Sequence, residues 1–131
     1  MPRHSLRTVC TSEWQTPQNR ISADLAEVGI SGGAQQAVSR LSQLTQDCGL
    51  DGVVCSAREV AALRRERAKD FLLVTPGIRP AQAERGDQAR IATPREALQN
   101  GASYLVIGRP ITQAPDPSAA LETILQEIDL I

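Results

Sequence analysis

Leu72-Leu73-Val74-Thr75-Pro76-Gly77-Ile78-Arg79-Pro80 opens the stretch that decides the fold, and Tyr104-Leu105-Val106-Ile107-Gly108-Arg109-Pro110 closes it. In both, a short apolar run ends abruptly in a cluster of Gly, Pro and Arg. A polar segment carrying Gly86-Asp87-Gln88 lies between them. Apolar runs this short suit strands buried on both faces, as in a parallel sheet. The arrangement places cationic side chains and bare backbone amides at the C-terminal ends of neighbouring parallel strands. Phosphorylated small molecules bind at that position in barrel enzymes.

Upstream, apolar or small residues recur at Ala34, Ala37, Val38, Leu41, Leu44 and Cys48, which gives one apolar helical face with Gly49 as C-terminal cap. Gly52-Val53-Val54-Cys55 reads as a buried strand. Ala57 to Lys69 is helix-like, with Val60, Ala61 and Leu63 set against Arg64, Arg65, Glu66 and Arg67, a charge cluster expected to be a solvated face. Phe71 to Val74 is the next strand. The connection from Thr75 to about Ala92 is long for a compact domain, and such segments are usually functional lids or disordered. Thr93-Pro94-Arg95-Glu96 opens a helix with an N1 proline and a capping box, and Asn100-Gly101 stops it. Tyr104 to Ile107 is predicted as a third buried strand. Asp116-Pro117 caps a last helix whose apolar face is Leu121, Ile124, Leu125 and Ile128.

Residues 1–23 show no sustained period and are expected to be irregular or poorly ordered, with order running from 24 to 131. Beyond that point strand and helix alternate, which means parallel βαβ units with helices outside. Three strands are too few to close a barrel of eight. The expectation is therefore an α/β chain forming a partial TIM (β/α) barrel.

Composition narrows the function classes. Hydrophobic residues at 41% and charged residues at 22% are globular values for 131 residues. A net charge of −1 gives no reason to expect DNA, RNA or anionic membrane as partners. The three cysteines lack metal spacing; Cys48 and Cys55 read as small core residues of a reducing compartment. No apolar run is long enough for a bilayer and no secretory pattern opens the chain, so a cytoplasmic location is expected.

Few residues could carry chemistry. Arg109 follows Ile107-Gly108 at a strand end, where Gly108 lets a ligand approach the backbone and Arg109 could grip a phosphate through two charge-assisted hydrogen bonds. Equally, it could be a surface arginine pairing with Asp116. Arg79, in a loop stiffened by Pro76 and Pro80, could recognise a ligand or be an exposed turn charge. Gln88 could donate its amide to a phosphate or be a solvated loop residue. Thr75 could cap a backbone group or touch a ligand. His4 is the only histidine and Lys69 the only lysine; His4 lacks a partner of recognisable spacing, and Lys69 precedes a strand, at the end opposite the site, so it is expected to be exposed.

Taken together, Cys48 to Ala57, Leu73 to Pro80, Gly86-Asp87-Gln88 with Arg90, Thr93-Pro94, Ala97, Gly101-Ala102 and Tyr104 to Pro110 with Thr112 resemble the C-terminal half of orotidine 5'-phosphate decarboxylase, bacterial type. The resemblance covers roughly Asp24 to Ile128. It implies a TIM barrel that dimerises, needs no cofactor and removes CO2 from orotidine 5'-monophosphate to give UMP in pyrimidine synthesis. It also implies that Arg79, Gln88, Gly108 and Arg109 bind substrate, with Gln88 and Arg109 near the phosphate. Thr-Val-Cys-Thr-Ser at 8–12 resembles the family's Thr-Ser at the end of its fifth strand, which would add Thr11.

One departure stands out. The family's catalytic centre is an Asp/Lys network around an Asp-x-Lys-x-x-Asp motif, and no such motif occurs in this sequence. The first expectation is a C-terminal fragment of the decarboxylase that grips substrate and is inactive alone. The alternative is a non-catalytic phosphate-binding or partner-completing half barrel. In either case a homodimer, or association with an N-terminal half, is expected because a half barrel leaves apolar edges open.

Overall fold

The computed structural model describes residues 9–10, 25–80 and 92–129 of the chain. Among them, four short strands form one parallel sheet in the order β1 (Val9–Cys10), β2 (Gly52–Val54), β3 (Leu72–Thr75) and β4 (Tyr104–Leu105). The helices are α1 (Gly33–Asp47), α2 (Ala57–Glu66), α3 (Pro94–Gln99), α4 (Arg109–Thr112) and α5 (Pro117–Asp129). The register pairs Val53 with Leu73 and Val74 with Tyr104. Because successive strand residues point to opposite faces, one face carries Val53, Cys55, Leu73, Thr75 and Leu105. That face meets Val60 and Leu63 of α2 and Ala97 of α3 to form the core. The architecture is the partial barrel expected, with strands inside and helices outside.

Local chemistry starts the helices where the sequence says. Ser56 accepts from Arg58 N at 3.4 Å while Glu59 Oε2 accepts from Ser56 N at 2.9 Å. Thr93 Oγ1 accepts from Glu96 N at 3.2 Å, and Glu96 Oε2 accepts from Thr93 N at 3.0 Å. In so short a helix as α3 this reciprocal cap carries much of the local order. Thr93→Ala is expected to lower stability by about 1 kcal/mol, read as a fall in the urea midpoint with an unchanged slope.

Packing overturns several local expectations. Within residues 1–23, expected to be irregular or poorly ordered, Val9 and Cys10 pair with Gly52 and Val53 as β1. A two-residue strand has no period to read; it forms because the free edge of β2 offers backbone partners. On α1 the buried residues are Ala37 and Ser42, whereas Leu41, Leu44 and Cys48 are exposed. The helix seats its small side on α2 and β2, and Ser42 tolerates burial because its hydroxyl donates to Ser39 O at 2.9 Å. The β4 run was expected to be buried on both faces, yet Tyr104 and Val106 are exposed. They point to the side of the sheet that carries no helix among the described residues.

The charge cluster of α2 is not simply solvated. Arg64 threads between strand starts, donating to Phe71 O at 2.9 Å, Gly101 O at 3.0 Å and Ser103 Oγ at 3.1 Å. The side chain of Arg67 is 5% exposed, donating to Gln43 Oε1 and pairing with Glu66 at 3.2 Å. Both arginines lie along the helix stem and keep their heads on backbone or side-chain oxygens.

Candidate functional site

The site is built where β3 and β4 end. Thr75 is paired in register with Leu105, and Arg79 and Arg109 each stand four residues beyond that pair. Arg79 and Arg109 therefore each follow the C-terminal end of one of two adjacent parallel strands. After β3 the chain turns at Gly77, whose φ of +72° is a conformation that favours glycine. Ile78, next to it, is buried in the core and anchors the turn. Arg79 follows directly and is half-buried, and its amide donates to Ala92 O at 3.2 Å. That bond joins the two ends of the long connection beside Arg79.

After β4 the chain passes Gly108 into α4. Gly108 O accepts from Ile111 N at 2.9 Å and from Thr112 N at 3.0 Å, which starts α4 at Arg109. Among the described residues, a methyl group placed on Gly108 would meet no atom within 4 Å, so no contact among them requires glycine there. Arg109 is exposed and takes part in no ion pair among the described residues. Asp116, its alternative partner, instead accepts from Ala119 N at 3.0 Å as the cap of α5.

Not every candidate joins this pair. Thr75 is fully buried on the helix side of the sheet, its hydroxyl turned to the Cys55 thiol, and it caps no backbone group among the described residues. It sits by Cys55, whose thiol burial pushes up to about 12; Glu59 adds to the shift, and the Thr75 hydroxyl and Arg64 offset part of it. That thiol stays neutral and unreactive at ordinary pH. Gln88 and Thr11 fall outside the described residues. Sequence reading missed Ile78 as the anchor that places Arg79; its signal was an apolar side chain between the turn glycine and the arginine.

A groove of about 520 Å³ runs elsewhere, between α1 and α2, lined by Gln36, Ser39, Ser56, Glu59 and Glu66 among others. Burial raises the Glu59 carboxyl above its usual range, with its hydrogen bond from Ser56 opposing. Neither Arg79 nor Arg109 lines this groove, and its Glu59 is already committed to capping α2. We place the candidate site at the strand ends. No helix among the described residues is long and apolar enough to cross a membrane.

Known proteins share this sequence and this shape. An orotidine 5'-phosphate decarboxylase of Nitrosomonas eutropha is 62% identical over 105 residues, covering 80% of this chain and 46% of its own length. One from Nitrosospira multiformis is 56% identical over 107 residues, covering 82% and 45%. The crystal structure of orotidine 5'-phosphate decarboxylase from Lactobacillus acidophilus superposes with a TM-score of 0.74 at 37% identity, covering 94% of this chain and 49% of that one. The chain spans about half the length of the curated relatives it matches. Residues 18–124 match the family described as Orotidine 5'-phosphate decarboxylase / HUMPS, and the chain belongs to that family.

Proposed function

We propose that this chain supplies the substrate-gripping half of an orotidine 5'-phosphate decarboxylase site, taking orotidine 5'-monophosphate or UMP by its phosphate. Arg109 binds the phosphate with Gln88, Arg79 orients the ligand, Gly108 leaves room for it, and Thr11 adds a contact. The observation that supports this reading is that Arg79 and Arg109 each follow the C-terminal end of one of two adjacent parallel strands, with no described atom within 4 Å of a methyl group built on Gly108. A guanidinium such as that of Arg109 meets a phosphate dianion with parallel charge-assisted hydrogen bonds.

By itself the chain does not decarboxylate. A carbanion-like transition state needs a positioned cation and a proton donor, and the sequence holds no Asp-x-Lys-x-x-Asp segment and one lysine, Lys69. Lys69 is exposed, and it precedes β3 at the end of the sheet away from Arg79 and Arg109. Calorimetric titration of the chain with UMP and with uridine tests the binding half of the proposal. UMP is expected to bind and uridine not. Arg109→Ala is expected to weaken UMP about ten- to hundredfold, the worth of about 1.5–3 kcal/mol for a charged hydrogen bond. Equal affinity for uridine and UMP would refute the phosphate reading. Loss of orotidine 5'-monophosphate absorbance at family-like rates with pure chain would refute the inactivity.

A further inference from the structure

The apolar surface left uncovered by the core lies at the open margins of the arc. The sheet face opposite the helices carries Val54, Val74, Tyr104 and Val106. At one end of the helix layer α1 packs on α2 and β2 and exposes Leu41 and Leu44; at the other end α5 packs on α3 and α4 and exposes Leu121 and Leu125. Tyr104, Val106 and these four leucines are each between 43% and 58% exposed. Backbone edges are free at the same margins, since β1 and β4 each have one strand neighbour among the described residues.

We propose that two copies of this chain close on each other into one twofold-symmetric, eight-stranded barrel, β4 of each copy pairing with β1 of the other. The proposal rests on the fold and is independent of the substrate reading. Half a turn about the barrel axis keeps all strand directions, so both new seams are parallel like the three existing pairs. Eight strands is also the number at which side chains fill the interior, and Val54, Val74, Tyr104 and Val106 of each copy would do so. The seams match in chemistry. Leu41 and Leu44 of one copy meet Leu121 and Leu125 of the other, with Arg40 beside the first pair and Glu122 beside the second. The chain covers 49% of the Lactobacillus acidophilus chain, so two copies supply the strand complement of one such relative.

Sedimentation and light scattering of the full chain over a dilution series test the proposal. A species of twice the 14.1 kDa chain mass is expected, dissociating reversibly. Leu44→Glu and Leu125→Lys place one charge at each seam, and each alone is expected to raise the dissociation constant about 100-fold or more. Mixing the two variants in equal amounts should restore the dimer, because one seam then sets Glu against Lys and the other keeps its leucines. Circular dichroism checks that each variant keeps its helix content. If one does not, hydrogen exchange on the unaltered chain decides: β4 amides should gain protection as chain concentration rises. A monodisperse monomer at about 100 µM, a dimer indifferent to both substitutions, β4 protection independent of concentration, or capture only by the amino-terminal half of a full-length relative would each overturn it.

Discussion

Replacing Gly52 with alanine is expected to destabilise the chain by about 3 kcal/mol or more, at the upper end of what overpacking costs. A methyl group at Gly52 would lie 2.5 Å from Leu72 Cβ and closer still to the Leu72 carbonyl oxygen. Neither atom can yield: Gly52 and Leu72 are a register pair, and Leu72 N donates to Asp51 O at 2.8 Å. The two central strands would have to part at their start, loosening the contact of Val53 with Leu73 behind them. Urea unfolding at fixed chain concentration measures this, and a midpoint unchanged from the parent would show that the strands approach less closely than described.

Arg64→Ala is expected to cost about 3–4 kcal/mol. The guanidinium donates to Phe71 O, Gly101 O and Ser103 Oγ, and more distantly to Ala68 O and Lys69 O at 3.2 Å. Ser103 Oγ in turn accepts from Leu73 N at 3.1 Å. One side chain thus ties the end of α2 to the starts of β3 and β4. Removing it leaves part-buried carbonyls without a donor, which costs more than the hydrogen bonds themselves contribute. Gly101 shares the joint. Its φ of +103° favours glycine, and a Cβ there would meet Arg64 Cγ at 2.7 Å. Arg64→Lys keeps the charge but loses the fork and should recover only part of the loss. A shift in thermal midpoint below about 2 °C for Arg64→Ala would mean the clip is redundant.

The candidate site lies at the end of the sheet opposite this clip, so Arg64 and Arg109 should separate in their effects. The first lowers stability; the second weakens phosphate binding and leaves the core intact. Such division is usual in barrels, where the C-terminal face carries ligands and the N-terminal face carries stability.

Much of this was legible in the sequence because the relevant forces are local. Thr93-Pro94-Arg95-Glu96 contains both partners of its cap within four residues, and the cap of α3 is found there. The runs read as strands at Phe71–Val74 and Tyr104–Ile107 form strands at Leu72–Thr75 and Tyr104–Leu105, ahead of Arg79 and Arg109. Other readings failed because they depend on distant partners. Apolar spacing on α1 showed an apolar face but not which part of it would find a neighbour; Ala37 and Ser42 did, and Leu41 and Leu44 did not. Run length alone could not show that Tyr104 and Val106 face a side without helices.

By itself, then, the sequence determined the order of the βα units, the helix starts and the strand-end motifs that place the chain in its family. Each is decided within a few residues, by periodicity, caps and turn chemistry. Tertiary structure alone decided that Val9–Cys10 becomes a strand, and that Arg64 reaches Ser103 across 39 residues of sequence. It also decided that the strands preceding Arg79 and Arg109 pair side by side in parallel. Those outcomes are set by register and by burial against partners far along the chain, and no local pattern encodes which partner arrives.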